Sequence, residues 1–378
     1  MIYLDYAADT PVSEGALTAF VSAARDYGAN PNSGHALGVQ ARRRLDLAME
    51  RIAGMLGAEP EEVVVTSGAT EANNLAILGV SRAYQSRGRH LITSPMEHAS
   101  VTGPMTALKA EGFELDFVRV LPDGRVDVEH LKSMLRPDTI LLSLCAVDSE
   151  AGVVQPVQTV REALTGFPNC RLHVDATQMT GKLRLDLAGV DLFTLSPHKF
   201  YGIPGSGALM ARGGLRLTPL WHGGAGASPY RGGTPALALT VSMEQALEDA
   251  LECLDERLDV VKRLNLRLRE ALGEMRFVTL NSPLAASPFI LNFSVSGVRA
   301  RDLIALLSDR GICVSSKSAC CAPASPSRPV FAMTGDRKRA MNTVRVSLSH
   351  RTTGDEIDRF LRVLPECAAE LEGLNGQL

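Results

Sequence analysis

No stretch of the 378 residues reaches the roughly 18 uninterrupted apolar residues that a bilayer-spanning helix requires. A charge excess is also missing: 39 Lys and Arg stand against 42 Asp and Glu, a formal net charge of −3. A surface so balanced offers no broad attraction to nucleic acid or to an anionic membrane. There is no Cys-x-x-Cys pair. The 7 cysteines, at 145, 170, 253, 313, 320, 321 and 367, are scattered, which does not suit a secreted disulfide framework and gives a metal site no support. The opening Met1-Ile2-Tyr3-Leu4-Asp5 has no basic segment and meets an acid at once, so no cleaved leader is expected and a reducing cytoplasm is the expected location. No internal repeat is visible.

What is present is average globular chemistry, 45% hydrophobic and 21% charged, which excludes disorder or coiled coil as a description of the whole chain. The length suits roughly two domains. From about 60 to 212, short β-rich runs alternate with helical patterns: 63–66, 90–93, 114–120, 139–146, 171–175, 191–195 and 206–211 as strands, with helices at 71–80 and 99–111. Buried runs separated by helices predict an α/β domain with a mainly parallel sheet. Upstream, Leu45, Ala48, Ile52 and Met55-Leu56 predict a helix over about 35–57. Downstream, 239–272 has the spacing of one long helix, followed by a smaller α+β region with strands near 277–280, 289–295, 312–315 and 344–348 and helices near 300–310 and 353–374. The Ala, Pro and Ser-rich stretch 320–328 has the composition of an exposed loop.

Three strand ends carry chemistry. Val63 to Thr66 runs into Ser67-Gly68-Ala69-Thr70-Glu71, a turn before a helix whose first amides suit a phosphate, or which is simply a capped helix start. His173-Val174-Asp175-Ala176-Thr177-Gln178 ends a second strand with an acid, either aimed into a ligand crevice or capping the next segment. Ser196-Pro197-His198-Lys199 leaves a third. A phosphate cradle, an acid and a lysine from neighbouring strand ends are what pyridoxal phosphate requires: the amine joins the aldehyde, and the carboxylate keeps the ring nitrogen protonated. His98, after the strand at 90–93, could stack on the ring and move protons, or be structural.

With these segments in place, the chain resembles the cysteine desulfurases of the NifS/IscS type, within the class V aminotransferase-like, fold type I pyridoxal phosphate enzymes. The likeness rests on Tyr3-Leu4-Asp5-Tyr6-Ala7-Ala8, Asn30 to His35, Thr66 to Glu71, Glu97-His98, His173 to Gln178, Ser196 to Lys199 with Tyr201-Gly202, His222-Gly223-Gly224, Gly233-Thr234, Ser315 to Cys320 and Val344 to Leu348, in order from residue 2 to about 365. It implies a seven-stranded, mainly parallel sheet flanked by helices in a large domain over 14–250. A smaller α+β domain would combine 1–13 with 251–378 and carry the nucleophile loop. The resemblance further implies that Lys199 bears the cofactor, Asp175 pairs with its ring nitrogen, Gln178 bonds its hydroxyl and His98 stacks on it. Ala69, Thr70, Ser196 and His198 would hold the phosphate, joined by Thr234 from the partner subunit of a homodimer. Arg345 would grip the substrate carboxylate, a task suited to a planar fork, with Asn30 also on the substrate side. Cys320 would take sulfur from L-cysteine as a persulfide and pass it to an acceptor protein, in iron–sulfur cluster assembly, tRNA thiolation or other sulfur delivery.

The chain departs from the family pattern at four places. Ser149 stands where an asparagine usually helps hold substrate and cofactor. Ala227, Ser228 and Pro229 precede Arg231-Gly232-Gly233-Thr234, where a glutamate and an arginine are usual. Lys317 replaces a glycine, and either lowers the Cys320 thiol pKa or is a solvated loop lysine. Cys321 follows the nucleophile, and either relays sulfur or points away. A selenocysteine lyase or aminotransferase of the same fold, or a sulfur-assembly scaffold without turnover, are the alternatives. Cys320 argues against transamination, and the presence of Lys199, Asp175, His98, Arg345 and Cys320 together argues against the scaffold.

Overall fold

A computed structural model describes residues 1–375 apart from 185, 225, 227 and 318–324. In chain order the strands are β1 (Ile2–Tyr3), β2 (Val63–Thr66), β3 (His90–Thr93), β4 (Glu114–Phe117), β5 (Thr139–Cys145), β6 (Arg171–Asp175), β7 (Leu192–Leu195), β8 (Gly207–Ala211), β9 (Val278–Leu280), β10 (Ile290–Val295), β11 (Ile312–Cys313) and β12 (Thr343–Ser347). The helices are α1 (Glu14–Asp26), α2 (Ala36–Met55), α3 (Ala69–Tyr84), α4 (Ala99–Leu108), α5 (Val128–Met134), α6 (Val157–Ala163), α7 (Leu237–Glu252), α8 (Leu254–Gly273), α9 (Ala300–Asp309), α10 (Arg328–Thr334), α11 (Arg337–Met341) and α12 (Gly354–Asn375).

Seven strands form one sheet in the order β2-β8-β7-β6-β5-β3-β4. The run from β7 to β4 is parallel, and β8 is antiparallel to both its neighbours. Pleating explains why these strands are apolar throughout. In Leu91-Ile92, Leu141-Leu142, Leu192-Phe193 and Leu209-Met210, the first residue packs into a core with α3 and α4, and the second into a core with α1, α2 and α7. A third core lies in the C-terminal part, where β12-β10-β9 form an antiparallel sheet covered by α8, α9 and α12. There β1 pairs with β11 in parallel, so the first residues of the chain lie beside residues 312–313.

The single long helix expected over 239–272 is two helices, with Cys253 between them at φ −96° and ψ 13°. Asp255 and Glu256 in the first turn of α8 favour a new N-terminus there. The expected loop 320–328 ends at α10, which begins at Arg328 and is capped by the Ser327 hydroxyl on the Val330 N–H at 3.3 Å. Its residues 318–324 lie outside the described residues.

Candidate active site

The carboxyl ends of β2, β3, β5, β6 and β7 all lead to one side of the sheet, where ligands bind in open α/β folds. A cavity of about 450 Å3 lies there. Its wall includes Ala69, Thr70, His98, Ser149, Asp175, Gln178, His198, Lys199 and Arg345, nine of the residues expected from the sequence. The β2–α3 turn brings the α3 N-terminus to this wall. Gly68, at φ +154°, carries no side-chain cap there. Beside it, a Cβ on Gly207 of β8 would lie 2.6 Å from the Gly68 carbonyl carbon, so the close approach of the two backbones requires glycine.

The lysine end of β7 is held by the N-terminal segment. Thr10 Oγ1 donates to the His198 carbonyl at 2.8 Å and accepts the Tyr201 N–H at 2.7 Å, where Tyr201 sits at φ +73°. Lys199 Nζ donates to the carbonyls of Ala7, at 3.0 Å, and Ala8. Gln178 Nε2 donates to the same Ala7 carbonyl at 2.9 Å, while its Oε1 accepts Lys182 Nζ at 2.8 Å. Asp175 Oδ1 accepts the Thr177 N–H locally at 3.0 Å, and Oδ2 accepts Asn73 Nδ2 at 2.8 Å. Arg345, also on the wall, is 1% exposed. Its Nη2 donates to Asp5 Oδ1 at 2.7 Å and its Nη1 to the Ser149 carbonyl at 2.8 Å, while Nε is buried without a partner.

Burial disfavours the charged form of several of these groups. It pushes His98 below the usual histidine range, against the raising influence of Asp175. His198 falls to about 4 and Lys182 to about 7, first through burial and then through the Lys199 charge. Glu97, beside His98 in sequence, is pushed up to about 8 by burial, with Oε1 accepting the Ser94 hydroxyl at 2.6 Å and Oε2 buried without a partner. Its pKa is therefore higher folded than unfolded, so the folded chain holds a proton that the unfolded chain loses above pH 4.5. Stability is fully present below that pH and declines as pH rises towards 8. Glu97→Gln, which cannot ionise, is expected to be more stable than the parent at pH 8 by on the order of 3 kcal/mol. The difference should vanish below about pH 5, as read by urea denaturation at both pH values; equal stability at pH 8 would refute it.

Three expected site residues lie elsewhere. Ser196 is buried behind the wall, its Oγ 2.8 Å from His198 Nδ1 and donating to the Ser206 carbonyl at 3.1 Å. Asn30 and Thr234 are exposed, and share a separate shallow groove between α1 and the start of α7. Cys320, like Cys321, falls outside the described residues. Lys317 is not a solvated loop lysine: it is 8% exposed and donates to Ser325 O at 2.6 Å and Ser325 Oγ at 2.9 Å. In the altered 225–233 stretch, Arg231 Nε donates to Glu71 Oε1 at 3.1 Å, tying that stretch to the cavity rim. Asn73 and Lys182 lie outside the residues singled out from the sequence, and Asp5 stands in a quoted segment with no role assigned. Asn73 sits one helical turn beyond Ala69 on α3, and Lys182 follows Gln178 by four residues through a turn. That spacing was the available signal.

The cavity suits pyridoxal phosphate. It joins an uncapped helix N-terminus for the phosphate to a buried carboxylate and a lysine. Thr177 Oγ1, on its wall, is a buried hydroxyl without a partner. The chain belongs to the aminotransferase class V family, whose model matches residues 2–360, and is therefore a pyridoxal-phosphate-dependent enzyme. Within it, the chain is similar to cysteine desulfurase IscS of Pectobacterium carotovorum subsp. carotovorum (strain PC1), with 38% identity over 99% of this chain and 94% of that protein. Among solved structures, a NifS-like protein superposes with a TM-score of 0.92 at 33% identity, covering 98% of this chain and 100% of that one. A structure described as SspA in complex with cysteine gives 0.82 at 31% identity, covering 93% and 100%. The chain is thus a member of the IscS/NifS cysteine desulfurases.

Proposed function

We propose that the cavity binds L-cysteine and that its sulfur is transferred to Cys320, leaving L-alanine. The observation that carries this reading is the convergence of Lys199, Asp175, His98 and Arg345 on one cavity at the strand ends. The solved relative that contains cysteine supports the choice of substrate. Bound there, pyridoxal phosphate supplies an electron sink for charge that develops next to the substrate amine. Asp175 would hold its ring nitrogen, Gln178 its hydroxyl, and Ala69, Thr70 and His198 its phosphate, with Ser196 steadying His198 from behind and His98 against the ring face. Thr234, exposed on its own chain, would complete the phosphate site of a second copy, which makes the enzyme a homodimer. Arg345, with its unpartnered Nε, receives the substrate carboxylate. Lys199 moves the proton at the substrate α-carbon. The Cys320 thiolate then forms a bond to the substrate sulfur. The carbon–sulfur bond breaks, its electron pair stays with carbon, and carbon takes a proton. L-Cysteine and a thiol become L-alanine and a persulfide, with no outside oxidant. The persulfide sulfur passes to an acceptor protein.

The test is to incubate the purified holoenzyme with L-cysteine, quantify alanine, and digest the protein without reductant. The peptide holding Cys320 should gain the mass of one sulfur atom, and Cys320→Ser should show no such gain. Alanine with the sulfur on another cysteine would move the nucleophile; no alanine would remove the reading.

A further inference from the structure

Asn73 is fully buried on α3, and its amide is bonded on every side. Oδ1 accepts the Thr194 hydroxyl at 2.6 Å, while Nδ2 donates to Asp175 Oδ2 at 2.8 Å and to Ser100 Oγ at 2.9 Å. Interchanging the amide's oxygen and nitrogen would set a carbonyl against the Asp175 carboxylate, so the orientation is fixed. Ser100 Oγ thus receives a hydrogen from Asn73, and its own hydrogen is left for His98 Nδ1, 2.8 Å away. That nitrogen also accepts the Ser100 backbone N–H at 3.1 Å. Two donors converge on Nδ1, which must therefore carry a lone pair. The proton of the neutral ring then sits on Nε2.

We infer that Asn73 is a positioning residue: anchored by Asp175 and Thr194, it acts through the Ser100 hydroxyl to fix His98 as the Nε2–H tautomer. The inference rests on the reading above, in which Asp175 and His98 face the same bound ring. It adds that a single amide holds the two in register, so that the imidazole presents a proton donor at Nε2. Among the described residues, the charges of Asp175, Lys199, Arg328 and Glu150 act on the imidazole besides burial. The Ser100 contacts are the ones made at Nδ1 itself. To protonate Nδ1, the Ser100 hydroxyl must turn and accept from it. Asn73 opposes that turn by holding the hydroxyl oxygen as its own acceptor. Without the amide, the imidazolium forms at higher pH.

The test is a pH titration of the enzyme labelled with 15N-histidine, with and without cofactor, the His98 signal being assigned by its loss in His98→Gln. The parent is expected to show a neutral Nε2–H ring. In Asn73→Ala the His98 pKa is expected to rise by roughly one unit, the worth of one such hydrogen bond. Ser100→Ala leaves the Asn73–Asp175 bond in place and is expected to raise it similarly. The double variant should exceed Ser100→Ala by nothing, because Asn73 acts through that hydroxyl. An Nδ1–H ring in the parent, an Asn73→Ala titration that superimposes on the parent's, or full additivity in the double variant would each overturn the inference. If Asn73→Ala does not fold, Ser100→Ala decides alone, and an unmoved pKa there overturns it. Alanine release by the parent is measured alongside. Its absence would remove the proposed activity while the tautomer result stood on its own.

Discussion

Lys199→Ala is expected to reduce alanine release from L-cysteine by about 10³-fold, the scale of a lost general acid–base group at the reacting carbon. The reason lies in where the second amine sits. Lys182 is near enough to lower its own pKa to about 7 partly through Lys199, yet its Nζ is bound to Gln178 Oε1 at 2.8 Å and it is not part of the cavity wall. It is therefore placed to steady Gln178 rather than to serve the cavity. Lys199→Ala and the double variant with Lys182→Ala should have the same residual rate. Added methylamine should raise both in proportion to its concentration, since the missing function is a mobile base. Measurement of alanine over time decides this. A residual rate within tenfold of the parent, or one that depends on Lys182, would reject the assignment.

Much of the site was legible because each buried strand is followed directly by residues that carry chemistry. A run such as Leu192 to Leu195 has one readable fate, and Ser196, His198 and Lys199 must then emerge at its end. Strand order was not legible, because fully buried strands present apolar side chains on both faces and carry no record of their neighbours. The reversal of β8 belongs to the same class. Short α5 and α6, at 7 residues each, hold too few turns for a period to show. The break at Cys253 was masked by apolar spacing that continues across it. Asn73 was passed over for a different reason: an asparagine at the start of a helix resembles a local capping residue, whereas here the helix turns it inward against Asp175. Lys182 resembled any solvated lysine, and only burial beside Gln178 distinguishes it.

Arg345→Lys is expected to raise the KM for L-cysteine by about 10²-fold, with kcat changed far less, because the guanidinium performs three tasks that one ammonium cannot. Nη2 is held by Asp5 and Nη1 by the Ser149 carbonyl, which leaves Nε and the remaining hydrogens for the substrate carboxylate. A lysine that reaches Asp5 gives up the carboxylate, and one that reaches the carboxylate leaves Asp5 half-buried and unpaired. Asp5→Asn keeps the shape of the acceptor but removes its charge, and should raise KM about tenfold as the fork loses its charged anchor. Because both changes act on one guanidinium, the double variant should be no worse than Arg345→Lys alone. Asp5 also accepts the Ser315 hydroxyl at 2.7 Å, and the Ser315 N–H donates to the Arg345 carbonyl at 3.2 Å. Arg345, the proposed substrate anchor, and Ser315, five residues before Cys320, therefore share one carboxylate. Persulfide formation at saturating L-cysteine should accordingly fall in Asp5→Asn, where both contacts weaken, more than in Arg345→Lys, where the contact to Ser315 persists. Steady-state KM for the three variants, with single-turnover persulfide yield for each, tests both halves. An unchanged KM in Arg345→Lys would place the substrate carboxylate elsewhere on the wall, and equal persulfide yields in the two single variants would separate the proposed anchor from the segment before Cys320.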